Sequence, residues 1–119
     1  MPKLSWSAFI EFHPAAHLVA GVIPEEDMAT VTARDSLALL AKLAKRLALT
    51  GQYAMTVDRR SGLPEIHCAF SRETDAARFA QALDATSVGR YPGWASQRQF
   101  GLDTGAIKTI AKVLEWIEP

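Results

Sequence analysis

QYAMTVDRRSGLPEIHCAFS, residues 52–71, is the stretch whose reading decides the fold. Two runs with strand-like alternation flank Ser61-Gly62, and glycine supplies the positive φ that tight hairpin turns demand. A two-residue turn there sets Arg60 opposite Leu63. Counting outward pairs Val57 with Ile66, Met55 with Cys68 and Tyr53 with Phe70 on one face. The other face receives Asp58 with Glu65, Thr56 with His67 and Ala54 with Ala69. The first set is wholly apolar, and a slip of one residue would mix the two, so turn chemistry and hydrophobic pattern specify one register. Pro64 falls near the turn, where its missing N–H costs least.

The same register disposes of a tempting reactive pair. His67 adjoins Cys68, the only cysteine of the chain, and in contact the two would make a base and a nucleophile. Consecutive strand residues point to opposite faces, so the side chains do not meet. Cys68 goes between Ile66 and Phe70 as a small core hydrophobe. His67 goes to the polar face with Glu65, Thr56 and Asp58. Nearby carboxylates favour an imidazolium that can shuttle protons, which makes His67, Glu65 and Asp58 the candidate acid–base groups. No nucleophile is visible beside them.

Upstream, Leu37, Leu40, Leu43, Ala44 and Leu47 recur at three- and four-residue spacing, with Arg34, Lys42, Lys45 and Arg46 largely off the stripe. This predicts an amphipathic helix from Asp35 that ends before Thr50-Gly51, with Gly51 as its left-handed terminator. Lys42, Lys45 and Arg46 read as a solvated end that suits the helix dipole rather than as a phosphate site. Downstream, Ser71 is expected to cap a helix through RETDAARFAQALDA, with Glu73 and Asp75 in its first turn. SVGRYPG supplies turn residues, WASQRQF reads as a strand, and Asp103 or Thr104 caps a last helix with Ile107, Ile110, Leu114 and Ile117 along one seam.

The N-terminal segment is ambiguous. In KLSWSAFIEF, Trp6, Ala8, Ile10 and Phe12 alternate as on a strand, while Trp6, Phe9 and Ile10 suit a helix. The strand reading is taken for residues 4–12, followed by a loop or short helix in HPAAHLVAGVI and a helix start at PEED. The resulting order, β-α-β-β-α-β-α, is an α+β fold: a ferredoxin-like βαββαβ sandwich, its antiparallel sheet covered by helices on one face, plus an extra C-terminal helix. A helical N-terminus would leave a plainer three-stranded α+β fold. With no repeat, linker or low-complexity tract, residues 1–119 are expected to form a single domain.

Thirteen basic and thirteen acidic residues cancel, so no global field gathers nucleic acid. No apolar run reaches the roughly twenty residues of a membrane-spanning helix. Glu11, His13 and Pro14 interrupt any signal core, and one cysteine fits a reducing compartment, so a cytoplasmic location is expected.

Three other patterns invite a functional reading. His13 and His17 stand four apart, as two metal ligands on one helical face would, with His67 or Glu11 available to complete a site. The glutamate of an H-E-x-x-H motif is missing, however, and Pro14 makes His13 a cap or loop residue. GLDTGAIKT at 101–109 lacks the spacing of a phosphate-binding loop and reads as a capped helix start. GRYPGWASQRQF at 89–100 interleaves aromatics with arginines, giving Arg90, Tyr91, Trp94 and Arg98 as candidate binding residues for a protein or for stacked bases. The expected function is a non-catalytic binding or regulatory module without a cofactor. It would act through an open sheet face or the last helix, as a homodimer or with another protein, and neither nucleic acid nor membrane is an expected partner. The alternatives are a small acid–base or metal-dependent enzyme using His67 with Glu65 and Asp58, or a single-stranded nucleic-acid binder through Arg90, Trp94 and Arg98.

Overall fold

The hairpin forms in the register read from the sequence. In a computed structural model describing residues 3–117, the element order is α1 (Trp6–Phe12), β1 (His17–Val22), a 3-10 turn (Glu25–Asp27), α2 (Ala33–Arg46), β2 (Tyr53–Asp58), β3 (Glu65–Phe70), α3 (Glu73–Ala82), β4 (Thr86–Ser87), β5 (Ser96–Gly101) and α4 (Thr104–Ile117). Strands β2 and β3 pair antiparallel with Val57 opposite Ile66, Met55 opposite Cys68 and Thr56 opposite His67. The ladder stops at Asp58 and Glu65. Beyond it the connection turns through Gly62, at φ +93°, whose N–H donates to the Arg59 carbonyl.

The fold is mixed α+β, a five-stranded sheet in the order β2-β3-β1-β5-β4 with four helices. It differs from the expected ferredoxin-like order in two respects. The sheet is not purely antiparallel, because β5 runs parallel to β1 while the two-residue β4 pairs antiparallel outside it. The first strand is also not where it was expected. Residues 6–12 form a helix, because the Ser5 hydroxyl accepts from the Ala8 N–H and holds the first turn. Its buried residue is Phe9, while Ile10 and Phe12 are exposed, so the alternation over Trp6, Ala8, Ile10 and Phe12 misleads.

The strand is instead His17–Val22, expected as loop or short helix. It lies at the centre of the sheet, between β3 and β5, with Leu18, Val19 and Ala20 all fully buried. A strand covered on both faces carries no polar alternation, and LVAGV shows none.

Helices α2, α3 and α4 cover one face. Leu40 and Leu43 from α2, Phe79 from α3 and Ile110 and Leu114 from α4 join Val19, Ile66, Cys68 and Phe70 in one core. The second face, expected to be open, carries α1. Phe9 packs there with Ala16, Ala54 and Ala69, with Trp6 and Trp94 alongside.

Several ends differ in detail from the reading of the sequence. Residue Ala48, not Gly51, takes the left-handed conformation after α2, at φ 51°. Arg72 rather than Ser71 occupies the cap position of α3, since the Ser71 hydroxyl accepts instead from the Gln52 N–H. Asp75, in the first turn of α3, is buried and accepts from Thr50 N–H, Thr50 Oγ1 and Gly51 N–H. That carboxylate fixes the α2–β2 connection to α3. Asp103 caps α4 as expected, accepting from the Ala106 N–H.

One close approach holds the parallel pair together. A Cβ on Gly21 would stand 2.7 Å from both Leu102 Cδ1 and Phe100 Cζ, two buried side chains. Gly21→Ala is expected to destabilise the fold by about 1–3 kcal/mol through overpacking. Urea unfolding measures it, and an unchanged midpoint would show that the β1–β5 contact is looser than described.

Candidate functional site

The site is built around one buried carboxylate. Glu65 opens β3 beside the hairpin turn and is 2% exposed. Ser61 Oγ donates to its Oε2 from the turn at 3.0 Å, and His67 Nε2 donates to Oε1 at 3.1 Å from two residues along the same face. Two more donors arrive from the segment between β4 and β5. Tyr91 Oη donates to Oε1 at 2.7 Å, and an Arg90 guanidinium nitrogen to Oε2 at 2.7 Å. That segment is itself anchored, since the Tyr91 N–H donates to Gln97 Oε1 and the Ala95 N–H to the Ala16 carbonyl.

Two carboxylate oxygens offer roughly four acceptor positions, so Glu65 has none to spare. Burial alone would raise its pKa. The bonds from Tyr91, His67 and Ser61, with the Arg90 charge, outweigh burial and hold the carboxyl below its usual value. The Tyr91 phenol is pushed up, by burial first and by the Glu65 carboxylate second.

His67 lies 3% exposed between two carboxylates. Glu65 is ionised and accepts only, so Nε2 carries the hydrogen of that bond. Nδ1 faces Asp58 Oδ2 at 3.5 Å. Asp58 is in turn gripped by Arg60, which donates from its backbone N–H at 2.8 Å, from Nε at 3.1 and 3.0 Å and from a terminal nitrogen at 2.6 Å. The Arg60 hydrogen bond is the main reason that the Asp58 carboxyl is lowered from 3.8 to about 2.

Aromatic rings enclose this group. Tyr91 meets the imidazole edge-on at 5.3 Å between centroids, Trp6 lies 6.4 Å from it, and Trp6 and Trp94 are 6.0 Å apart. Above them opens a cavity of about 430 Å3, with Asp58, Glu65 and His67 as floor, Tyr91, Pro92 and Trp94 as wall, and Arg60, Arg90 and Ser61 at the rim. A second cavity of about 350 Å3 shares Asp58, Arg60 and His67 and is bounded by Trp6 and Thr56.

Of the residues singled out in the sequence, the structure brings His67, Glu65, Asp58, Arg90, Tyr91 and Trp94 to this one place. Arg98 is elsewhere. It sits on the helix-covered face, level with Val19, where it donates to Glu73 at 2.6 Å. The two candidate metal ligands are also apart. His13 ends α1 and bonds Gln52 at 2.7 Å, whereas His17 meets Ser96 at 2.8 Å and Glu73 at 2.9 Å on the helix face. Among the described residues no group of three or more His, Cys, Asp or Glu is arranged to hold a metal ion. Cys68 is fully buried and burial pushes its thiol pKa up, which keeps it protonated and unreactive.

Sequence reasoning passed over Arg60, Ser61 and Trp6. The first two had a signal, because a hairpin turn folds its own side chains back over the last strand residues. Trp6 had none, since only tertiary packing carries α1 to His67. Comparison with protein-family models, with curated proteins and with solved structures finds no match for this chain. Among the described residues no helix is long and apolar enough to cross a membrane.

The two carboxylates predict an acid dependence of stability. A folded-state pKa below the unfolded value contributes stability above the unfolded pKa that is lost as pH falls through the folded one. For Asp58 that window runs from 3.8 down to about 2, and Glu65 acts in the same direction. Urea unfolding at a series of pH values should show stability falling across this range, and Asp58→Asn should flatten the fall. An identical slope in the variant would contradict the Asp58–Arg60 assignment.

Proposed function

We propose that this chain is a non-catalytic binding module whose ligand occupies the cavity over His67. One observation carries this reading: the His67 ring is buried against the protein's own carboxylates, with Nε2 hydrogen-bonded to Glu65 at 3.1 Å and Nδ1 facing Asp58 at 3.5 Å. A general acid or base needs a nitrogen within hydrogen-bond reach of a substrate proton, and here each nitrogen is already directed at a side chain. The same holds for the carboxylates. Glu65 is filled by four donors, and Asp58 is claimed by Arg60.

What the cavity offers a ligand is aromatic surface and guanidinium groups. Its volume lies in the ordinary range for small-molecule sites, roughly 300–1,000 Å3. The acid–base alternative requires His67 to leave one of its carboxylates. The nucleic-acid alternative loses Arg98, which lies on the opposite face of the sheet from Trp94.

The three tryptophans make the test. Trp6 and Trp94 stand beside the cavity, while Trp116 lies on α4 and is 86% exposed. In nitrogen-15 spectra of the protein titrated with a library of small aromatic fragments, hits should move the Trp94 and Trp6 indole signals and leave Trp116 still. Hits that move Trp116 alone would transfer the binding surface to the C-terminal helix and overturn the proposal.

A further inference from the structure

We infer that the ligand of this cavity is a small aromatic oxyanion, a carboxylate or phosphate ester on a planar ring, held by Arg60 and Arg90 beside Trp94. The inference rests on the cavity being the binding site and adds the chemistry of what enters it.

A count of donors against acceptors supports it. An arginine carries five N–H groups and accepts nothing. Arg60 spends Nε and one terminal nitrogen on Asp58. Arg90 spends one terminal nitrogen on Glu65, and the other reaches Gln99 Oε1 only at 3.4 Å. Both guanidinium groups therefore keep N–H groups in surplus at the rim. The carboxylate acceptors are taken: Glu65 serves four donors, and Asp58 serves Arg60 and faces His67. Gln97 Oε1 takes the Tyr91 N–H, and Gln99 Oε1 faces Arg90 at 3.4 Å.

A ligand that brought only donors would bury them unpaired, which is costly. One that brings acceptor oxygens pairs with what is left over. Two arginines and two carboxylates cancel in formal charge, so recognition here comes from directed, charge-assisted N–H bonds rather than from a net field.

The planar body follows from the wall. Arg90 stacks over the Tyr91 ring, 5.1 Å from its centroid, which keeps the guanidinium in place. Trp94 is half-buried against Trp6 and lines the cavity. An aromatic ring meets the indole favourably by offset or edge contact.

Calorimetric titration of the full chain with four matched probes tests this: 1-naphthoate, 1-naphthyl phosphate, neutral 1-naphthamide and cationic 1-naphthylmethylammonium. At least one oxyanion is expected to bind about tenfold or more tighter than the amide and the ammonium. The tighter of the two oxyanions identifies the group. Arg60 has an 88% exposed side chain, so Arg60→Gln should still fold, with its thermal midpoint lowered by the lost bonds to Asp58, while removing the oxyanion advantage over the amide. Arg90→Gln should reduce the advantage as well. An amide or ammonium that binds as tightly as the oxyanions, with Trp94 signals still moving, overturns the oxyanion inference and leaves the cavity standing as a site. No binding by any probe at millimolar concentration, with Trp94 unmoved, overturns both.

Discussion

The carboxylate of Glu65 is the point on which the second face of this protein depends. A buried ion is costly to desolvate and is tolerated only when its lone pairs are filled. Here the four donors come from three separate parts of the chain: Ser61 in the hairpin turn, His67 in β3, and Arg90 with Tyr91 in the segment before β5. Filling the carboxylate therefore brings those parts together. Such a group is not a large net source of stability, since a well-packed apolar replacement often does as well. Its effect is geometric. It decides where Tyr91 stands, and through Tyr91 and His67 where the cavity opens.

The sheet divides the work between its faces. On one, three amphipathic helices close a conventional apolar core around β1 and β3. On the other, a small cluster of Phe9, Ala16, Ala54 and Ala69 seats α1, and small side chains let the helix approach closely enough for Trp6 to reach His67. Beside α1 the polar end of the hairpin is left for the Glu65 network. Asp75 does a comparable job on the helix side, closing the α2–β2 connection.

Much of this was legible in the sequence, for identifiable reasons. The β2–β3 register followed from the Ser61-Gly62 turn and the two-residue period, and it separated Cys68 from His67 correctly. The helices α2, α3 and α4 followed from their apolar stripes. The central strand did not, because LVAGV is buried on both faces and has no period to read. Its neighbour α1 presented an alternation that happened to fit a strand, whereas the burial of Phe9 and the Ser5 cap go with a helix. The site was half legible. Strand parity placed Asp58, Glu65 and His67 on one face, but Arg90 and Tyr91 reach them across the sheet, a contact no local pattern encodes. Parity would have kept Arg98 with Trp94, four residues apart, had the strand run through both; β5 begins only at Ser96, so Arg98 follows the strand to the helix face, level with Val19, and Trp94 does not.

The most direct measurement is a carbon-13 titration of the Glu65 side-chain carboxyl in the folded protein. If four donors hold it ionised, the carboxyl will titrate below its usual value of 4.5, and Tyr91→Phe will move the midpoint upward. A midpoint at or above 4.5 in the unaltered protein, unmoved by Tyr91→Phe, would contradict the account.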